Sequence, residues 1–153
     1  MQILKSFMGA LFAVMFVMGA AGVARADVAH MTVGAGGYDL VSYQTNTKPL
    51  RGSGDFALEH DGVSYLFASD ANREAFKADP AKYLPAYGGY CAYGVSVGKK
   101  FYGDPEVWRV VDGTLYLNLN TKVQDLWLED VDGKVAQANT YWKDIKDKPA
   151  SEL

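Results

Sequence analysis

One cysteine and two histidines in 153 residues leave little material for sulfur or imidazole chemistry. A single thiol excludes an intrachain disulfide framework and any multi-cysteine zinc site. Two imidazoles leave few ways to build a histidine-based catalytic centre. Basic residues are not in excess either: 15 Lys and Arg stand against 18 Asp and Glu. That balance argues against a nucleic-acid binder, which carries a basic face. Aromatics are not scarce, at 13%, and 49% of the residues are hydrophobic, which excludes a disordered chain. The length suits one domain.

Acidic residues are missing altogether from positions 1–26, where Lys5 and Arg25 are the only charges. Between them runs an apolar stretch from Phe7 to Val23, closed by Ala24, Arg25 and Ala26. This small-x-small ending after a basic start and an apolar centre predicts a signal peptide over 1–26. An uncleaved anchor is the competing reading, but 17 residues lie near the lower limit for spanning a bilayer. No cysteine near the cleavage point offers a lipid anchor. Cleavage would leave 127 residues (153 − 26), shift the formal charge from −3 to −5, and keep only Met31 of the five methionines. The expected location is periplasmic or secreted, an oxidising setting in which a lone cysteine is buried, metal-bound or open to oxidation.

The pattern after residue 26 predicts a small α+β domain of β-hairpins packed against short helices. Residues 27–36 form a small, glycine-rich lead-in, 37–145 the domain, and 146–153 a polar, frayed tail. Asp61-Gly62 between alternating runs is a two-residue hairpin turn, because both central positions need φ > 0. The register then sets His60 against Val63, Leu58 against Tyr65 and Phe56 against Phe67, all on one apolar face with His60 at its end. Ser69 is a helix N-cap followed by Asp70, and the helix should run to about Ala78, where Asp79-Pro80 breaks it. A short turn over Pro80 to Tyr83 follows. A second hairpin turns at Asp112-Gly113, between Trp108–Val111 and Thr114–Leu119. Asn120 caps a helix carrying Val123, Leu126 and Trp127, and a last helix shows Val135, Ala138, Trp142 and Ile145.

The two hairpin–helix stretches look alike. Asp61-Gly62, Tyr65 and Leu66 match Asp112-Gly113, Tyr116 and Leu117, and Phe76 falls opposite Trp127. A ββα unit used twice would explain this. Against it, the apolar phase flips, from Val63, Tyr65 and Phe67 to Leu115, Leu117 and Leu119.

Residues 84–104 hold five glycines and four tyrosines around Cys91. Two readings stand: a packed loop using glycine for tight turns, or a pocket wall in which Tyr87, Tyr90 and Tyr93 offer rings and hydroxyls to a ligand.

Tyr65, Phe67, Ser69, Phe76, Asp79, Pro80 and Tyr83 stand at the spacing of the YHS domain pattern, Y-x-F-C-S-x-x-C-x-x-x-F-x-x-[DN]-P-x-x-Y. The chain resembles a secreted, single-domain bacterial branch of that family. The segments Gly37 to Tyr43, Tyr87 to Ala92, Asp112 to Asn118 and Tyr141-Trp142 support this, so the resemblance covers nearly all of 37–145. It implies a small α+β fold and, in cysteine-containing members, a metal, often copper, at the start of the helix. Here the two family cysteines fall on Ala68 and Asn72, which supply no thiolate.

The remaining soft ligands are Cys91, His60, His30 and Met31, a set that copper(I) favours. His60 ends the apolar hairpin face and Cys91 opens the segment after the helix, so the pair is the candidate metal site. The structural alternatives are a half-buried strand-end histidine and a small buried cysteine. His30 would be fourth in the cleaved chain, behind Asp27, Val28 and Ala29, one place beyond the amino-terminal copper motif. A Cys91/His60 nucleophile pair is arithmetically possible but has no flanking motif. Glu129, Asp130 and Asp132 lack the spacing of a calcium loop and read as a solvated helix junction. There is no phosphate-binding glycine loop, and Lys99-Lys100 is too short for a basic patch. The first functional expectation is a non-catalytic binding module, taking copper or a small ligand near Cys91 and the tyrosine loop. A thiol-based redox enzyme using Cys91 is the second, and a protein-interaction domain in which Cys91 only packs is the third.

Overall fold

The computed structural model describes residues 33–46 and 48–153. The expected signal peptide, His30 and Met31 lie outside them. The order is a tight helical turn Gly34–Gly37, α1 (Ser42–Thr45), β1 (Ser53–His60), β2 (Val63–Phe67), α2 (Asp70–Ala78) and α3 (Pro80–Tyr83). A second tight turn, Ala86–Gly89, leads to α4 (Ala92–Ser96), β3 (Asp104–Val111), β4 (Thr114–Asn118), α5 (Thr121–Leu128) and α6 (Val131–Ile145). A short turn, Ala150–Glu152, ends the chain. The fold is thus α+β, with two separate antiparallel hairpins, β1–β2 and β3–β4, packed against helices. Among the described residues no helix is long and apolar enough to cross a membrane.

Both hairpins turn where the sequence places them. Asp61 and Gly62 have φ of 51° and 77°, Asp112 and Gly113 of 49° and 77°. His60 faces Val63 and Leu58 faces Tyr65, as the two-residue loop requires. Phe56 does not face Phe67. A bulge sets Ser53 against Phe67, so the strict alternation fails beyond Ala57. The helix caps also hold: Ser69 Oγ accepts from Asn72 N–H at 3.2 Å, and Asn120 Oδ1 from Val123 N–H at 3.0 Å.

The repeat is real and longer than the hairpins. β1 and β2 recur as β3 and β4 at a constant offset of 51 (104 − 53), with the same lengths and the same turn. The bulge recurs too, between Asp104 and Trp108, as it does between Ser53 and Ala57. Cap and helix follow at the same offset. Tyr65 meets Phe76 at 5.3 Å and 40°, and Tyr116 meets Trp127 at 5.3 Å and 40°. Upstream, the turn Gly34–Gly37 recurs as Ala86–Gly89, and its backbone repeats residue by residue. Ala35 (φ 51°) and Gly36 (φ 60°) match Tyr87 (φ 56°) and Gly88 (φ 62°). The described start of the expected lead-in is therefore part of the fold, with Gly34 buried against Tyr65 and Val63.

The phase flip has a packing cause. β4 is buried on both faces. Tyr116 points into a core formed with Tyr87, Tyr90, Val95, Trp127 and Ile145. Leu115 and Leu117 point the other way, into the first unit's core of Tyr38, Leu40, Tyr43, Phe67 and Phe76. The second unit's hairpin closes the first unit's core. α6 starts at the same offset of 51 as α3 (131 − 80), on the matching cap Asp130 for Asp79, but runs 15 residues against 4 and closes the second core. Two residues expected in the apolar stripes, Leu119 and Leu126, are exposed instead, at 40% and 44%. The polar tail is also tied down. Lys100 Nζ donates to the Lys146 and Lys148 carbonyls at 2.8 and 2.6 Å, over the rings of Tyr90 and Trp142.

Both cores are rich in tyrosine, and burial pushes the phenols of Tyr43, Tyr65, Tyr87 and Tyr116 above their ordinary value. Such groups are protonated in both states below about pH 9, where their stabilisation is complete. Above about pH 10 the unfolded chain ionises first, and stability is lost. The urea midpoint is therefore expected to fall steeply above pH 10. A midpoint that holds to pH 11 would remove these phenols from the core's energetics.

Candidate functional site

Each unit places one side chain in a ring of backbone N–H groups directly after its glycine turn. In the first unit that residue is Asp39, fully buried. Its Oδ1 accepts from the N–H groups of Val41 (2.9 Å) and Ser42 (3.3 Å). Its Oδ2 accepts from Ala68 N–H (2.9 Å) and Asn72 Nδ2 (2.6 Å). Positions 68 and 72, where the YHS pattern has its cysteines, thus converge on one carboxylate oxygen, as donors rather than as metal ligands.

Cys91 occupies the equivalent place in the second unit, at an offset of 52 (91 − 39). Asp39 N–H bonds to the Leu50 carbonyl, and Cys91 N–H to the Phe101 carbonyl, 51 residues on (101 − 50). Gly103 lets this loop lie against β4, since a Cβ there would sit 2.5 Å from Leu117 Cβ. Cys91 is fully buried. Burial pushes its thiol up, and the N–H groups of Gly94, Leu119 and Tyr93 pull it partly back. Those donors match the Ser42, Ala68 and Val41 donors to Asp39. Gly94 N–H reaches Sγ at 3.4 Å, and Sγ lies 3.7 Å from Asn118 Oδ1, which also accepts from Tyr93 N–H. Asn118 Nδ2 is buried and has no partner among the described residues.

His60 sits elsewhere in the fold. Its ring meets Phe76 edge-on at 5.8 Å, and Nε2 lies 3.5 Å from Asp61 Oδ2. Among the described residues its contacts, Phe76 and Asp61, are not those of Cys91. Among the described residues no group of three or more His, Cys, Asp or Glu side chains is arranged to hold a metal ion. The expected tyrosine wall is mostly core. Tyr87 and Tyr90 are 7% and 2% exposed, and Tyr93 is half-buried under Lys134 Nζ.

An open cleft of about 250 Å³ does lie beside this region, between the second hairpin and α6. Val111, Val131, Val135 and Ala136 give it an apolar side, and Asp112, Asp132, Thr114, Tyr116 and Asn139 its polar atoms. Tyr87 backs it, its hydroxyl donating to Asn139 Oδ1 at 3.0 Å. This fixes the Asn139 carboxamide with its Nδ2 turned away from Tyr87. Hydrophobic spacing marks Val135 as core-facing, so the residue pattern carries no cue to a cleft. For Asp39 a cue exists: Gly36-Gly37-Tyr38-Asp39 parallels Gly88-Gly89-Tyr90-Cys91.

No protein-family model, curated protein or solved structure matches the chain.

Proposed function

We propose that the chain is an exported, YHS-like, non-catalytic binding module, and that its ligand is a small molecule seated between the second hairpin and α6. The observation that carries this reading is the cleft backed by the Tyr87–Asn139 hydrogen bond. Small-ligand sites are concave, mainly apolar and furnished with a few fixed polar groups. Two carboxylates and no Lys or Arg among the lining residues favour an amine over an acid.

Copper on Cys91 and His60 is the weaker form of the binding reading. Cys91 faces backbone N–H donors, which favour an anion, and His60 packs on Phe76. A thiol enzyme needs an accessible thiol of lowered pKa, and Cys91 is buried with its pKa raised. A protein-contact role is the second reading. Val97, Phe101, Tyr102 and Tyr141 favour it, each about half exposed.

Titration with 2-phenylethylamine, followed by amide NMR, tests the first reading. The expected shifts cluster at Val111–Tyr116 and Val131–Asn139, and Ala136→Trp abolishes them. The acid of similar shape, 3-phenylpropionate, is expected to shift them at least tenfold more weakly. If neither compound moves these amides, the cleft is not a ligand site.

A further inference from the structure

The two amide rings are built alike and hold different groups. In the first, three backbone N–H groups and one carboxamide N–H converge on the two oxygens of Asp39. In the second, three equivalent N–H groups surround a thiol sulfur, which is a weak acceptor. A carboxamide is again present, from Asn118. Its Oδ1 lies 3.7 Å from Sγ, and its Nδ2 is buried without a partner among the described residues. The second ring therefore has the donors of a carboxylate site around a sulfur, and the one oxygen in it, Asn118 Oδ1, accepts from Tyr93 N–H while Gly94 N–H meets only Sγ.

We propose that Cys91 is an oxidation site, and that its sulfinate is the species this ring and Asn118 hold. A cysteine sulfinate carries two oxygens and one negative charge on the atom attached to Cβ, as aspartate does. The oxidant is a hydroperoxide. In the first step the Cys91 sulfur attacks one peroxide oxygen; an S–O bond forms and the O–O bond breaks. With hydrogen peroxide the leaving hydroxide takes up the thiol proton and departs as water. Sulfur loses two electrons and the peroxide gains them, giving the sulfenic acid. A second peroxide repeats the exchange and gives the sulfinic acid, which ionises. Because Cys91 is fully buried, each step waits on local opening of the Tyr90–Gly103 loop, so modification is slow and accumulates rather than turning over. Once the loop closes, the donors stabilise the product and shield it from a third oxidation. This inference does not depend on the cleft.

The test treats the reduced full chain with hydrogen peroxide, native and in urea, and follows intact mass and peptide maps. Native protein is expected to stop at a gain of two oxygens on Cys91, about 32 Da, while the urea sample proceeds to the sulfonic acid. The native product should melt no lower than the reduced protein. Cys91→Asp should melt above Cys91→Ser, and the order should reverse when Asn118→Leu removes the carboxamide. A native product that melts lower, a native sample that passes to the sulfonic acid, or no oxygen on Cys91 after prolonged exposure each overturns the proposal. So does Cys91→Ser melting above Cys91→Asp.

Discussion

Asp39→Ala is expected to cost about 4 kcal/mol, enough to unfold a domain at the low end of the usual 5–15 kcal/mol range. The variant strips the acceptor from four donors at once: Val41 N–H, Ser42 N–H, Ala68 N–H and Asn72 Nδ2. These groups lie around a fully buried position, so water does not replace the lost oxygens. Together they tie the glycine turn, α1, the end of β2 and the first turn of α2 to one carboxylate. Asp39→Asn should cost nearly as much, because its Nδ2 would turn a donor toward donors. Urea unfolding of both variants is the measurement. A cost below about 1 kcal/mol for Asp39→Asn, the worth of a single hydrogen bond, would show that the four contacts add little.

Trp127→Ala should cost about 3–5 kcal/mol, and Phe76→Ala a similar amount, because each removes a wholly buried aromatic ring from the core of its own unit. Both are wholly buried, and each meets its unit's tyrosine at the same distance and tilt. The replacement that discriminates is Trp127→Phe, which installs the residue of the other unit. It loses volume but also deletes Nε1, a buried N–H with no partner among the described residues. Its expected cost is less than half that of Trp127→Ala. Equal costs for Phe and Ala at 127 would mean that the two helix sites are not equivalent in packing.

Local chemistry was legible in the sequence wherever it decides backbone shape. Asp-Gly turns, the Ser69 and Asn120 caps and the Asp79-Pro80 break each act within a few residues, and each stands where its residues place it. The bulges at Ser53/Ala57 and Asp104/Trp108 were not legible, because only the partner strand shows the slip. The phase flip misled for a related reason. A strand buried on both faces loses its period of two, so Leu115 and Leu117 counted against a repeat that the match of Tyr65 with Tyr116 supported. For the site, Cys91 stood out by rarity, and the structure adds what surrounds it: an amide ring, Asn118 and the parallel with Asp39. The pairing with His60 rested on ligand chemistry and on position along the chain, and neither carries information on distance. Asp39 was overlooked because one aspartate among many has no rarity, although the repeated Gly-Gly-Tyr tripeptide marked it.

The way the two cores are closed sets a limit on how far this unit can multiply. The first core takes its lid from the outer face of the next unit's strand, with Leu115 and Leu117 as the contact. A third unit could dock on the second only by displacing α6, which fills that place with Ala138 and Ile145. At the opposite end, β2 shows exposed Ser64 and half-buried Leu66 where β4 shows buried Tyr116's neighbours. That edge offers no leucine pair to cover a preceding copy. The two units are therefore not interchangeable: the second carries the leucine face that covers its neighbour, and its last helix is the long one. The order of the two units is written into two positions on one strand, Ser64 and Leu66 against Leu115 and Leu117, and into the length of one helix.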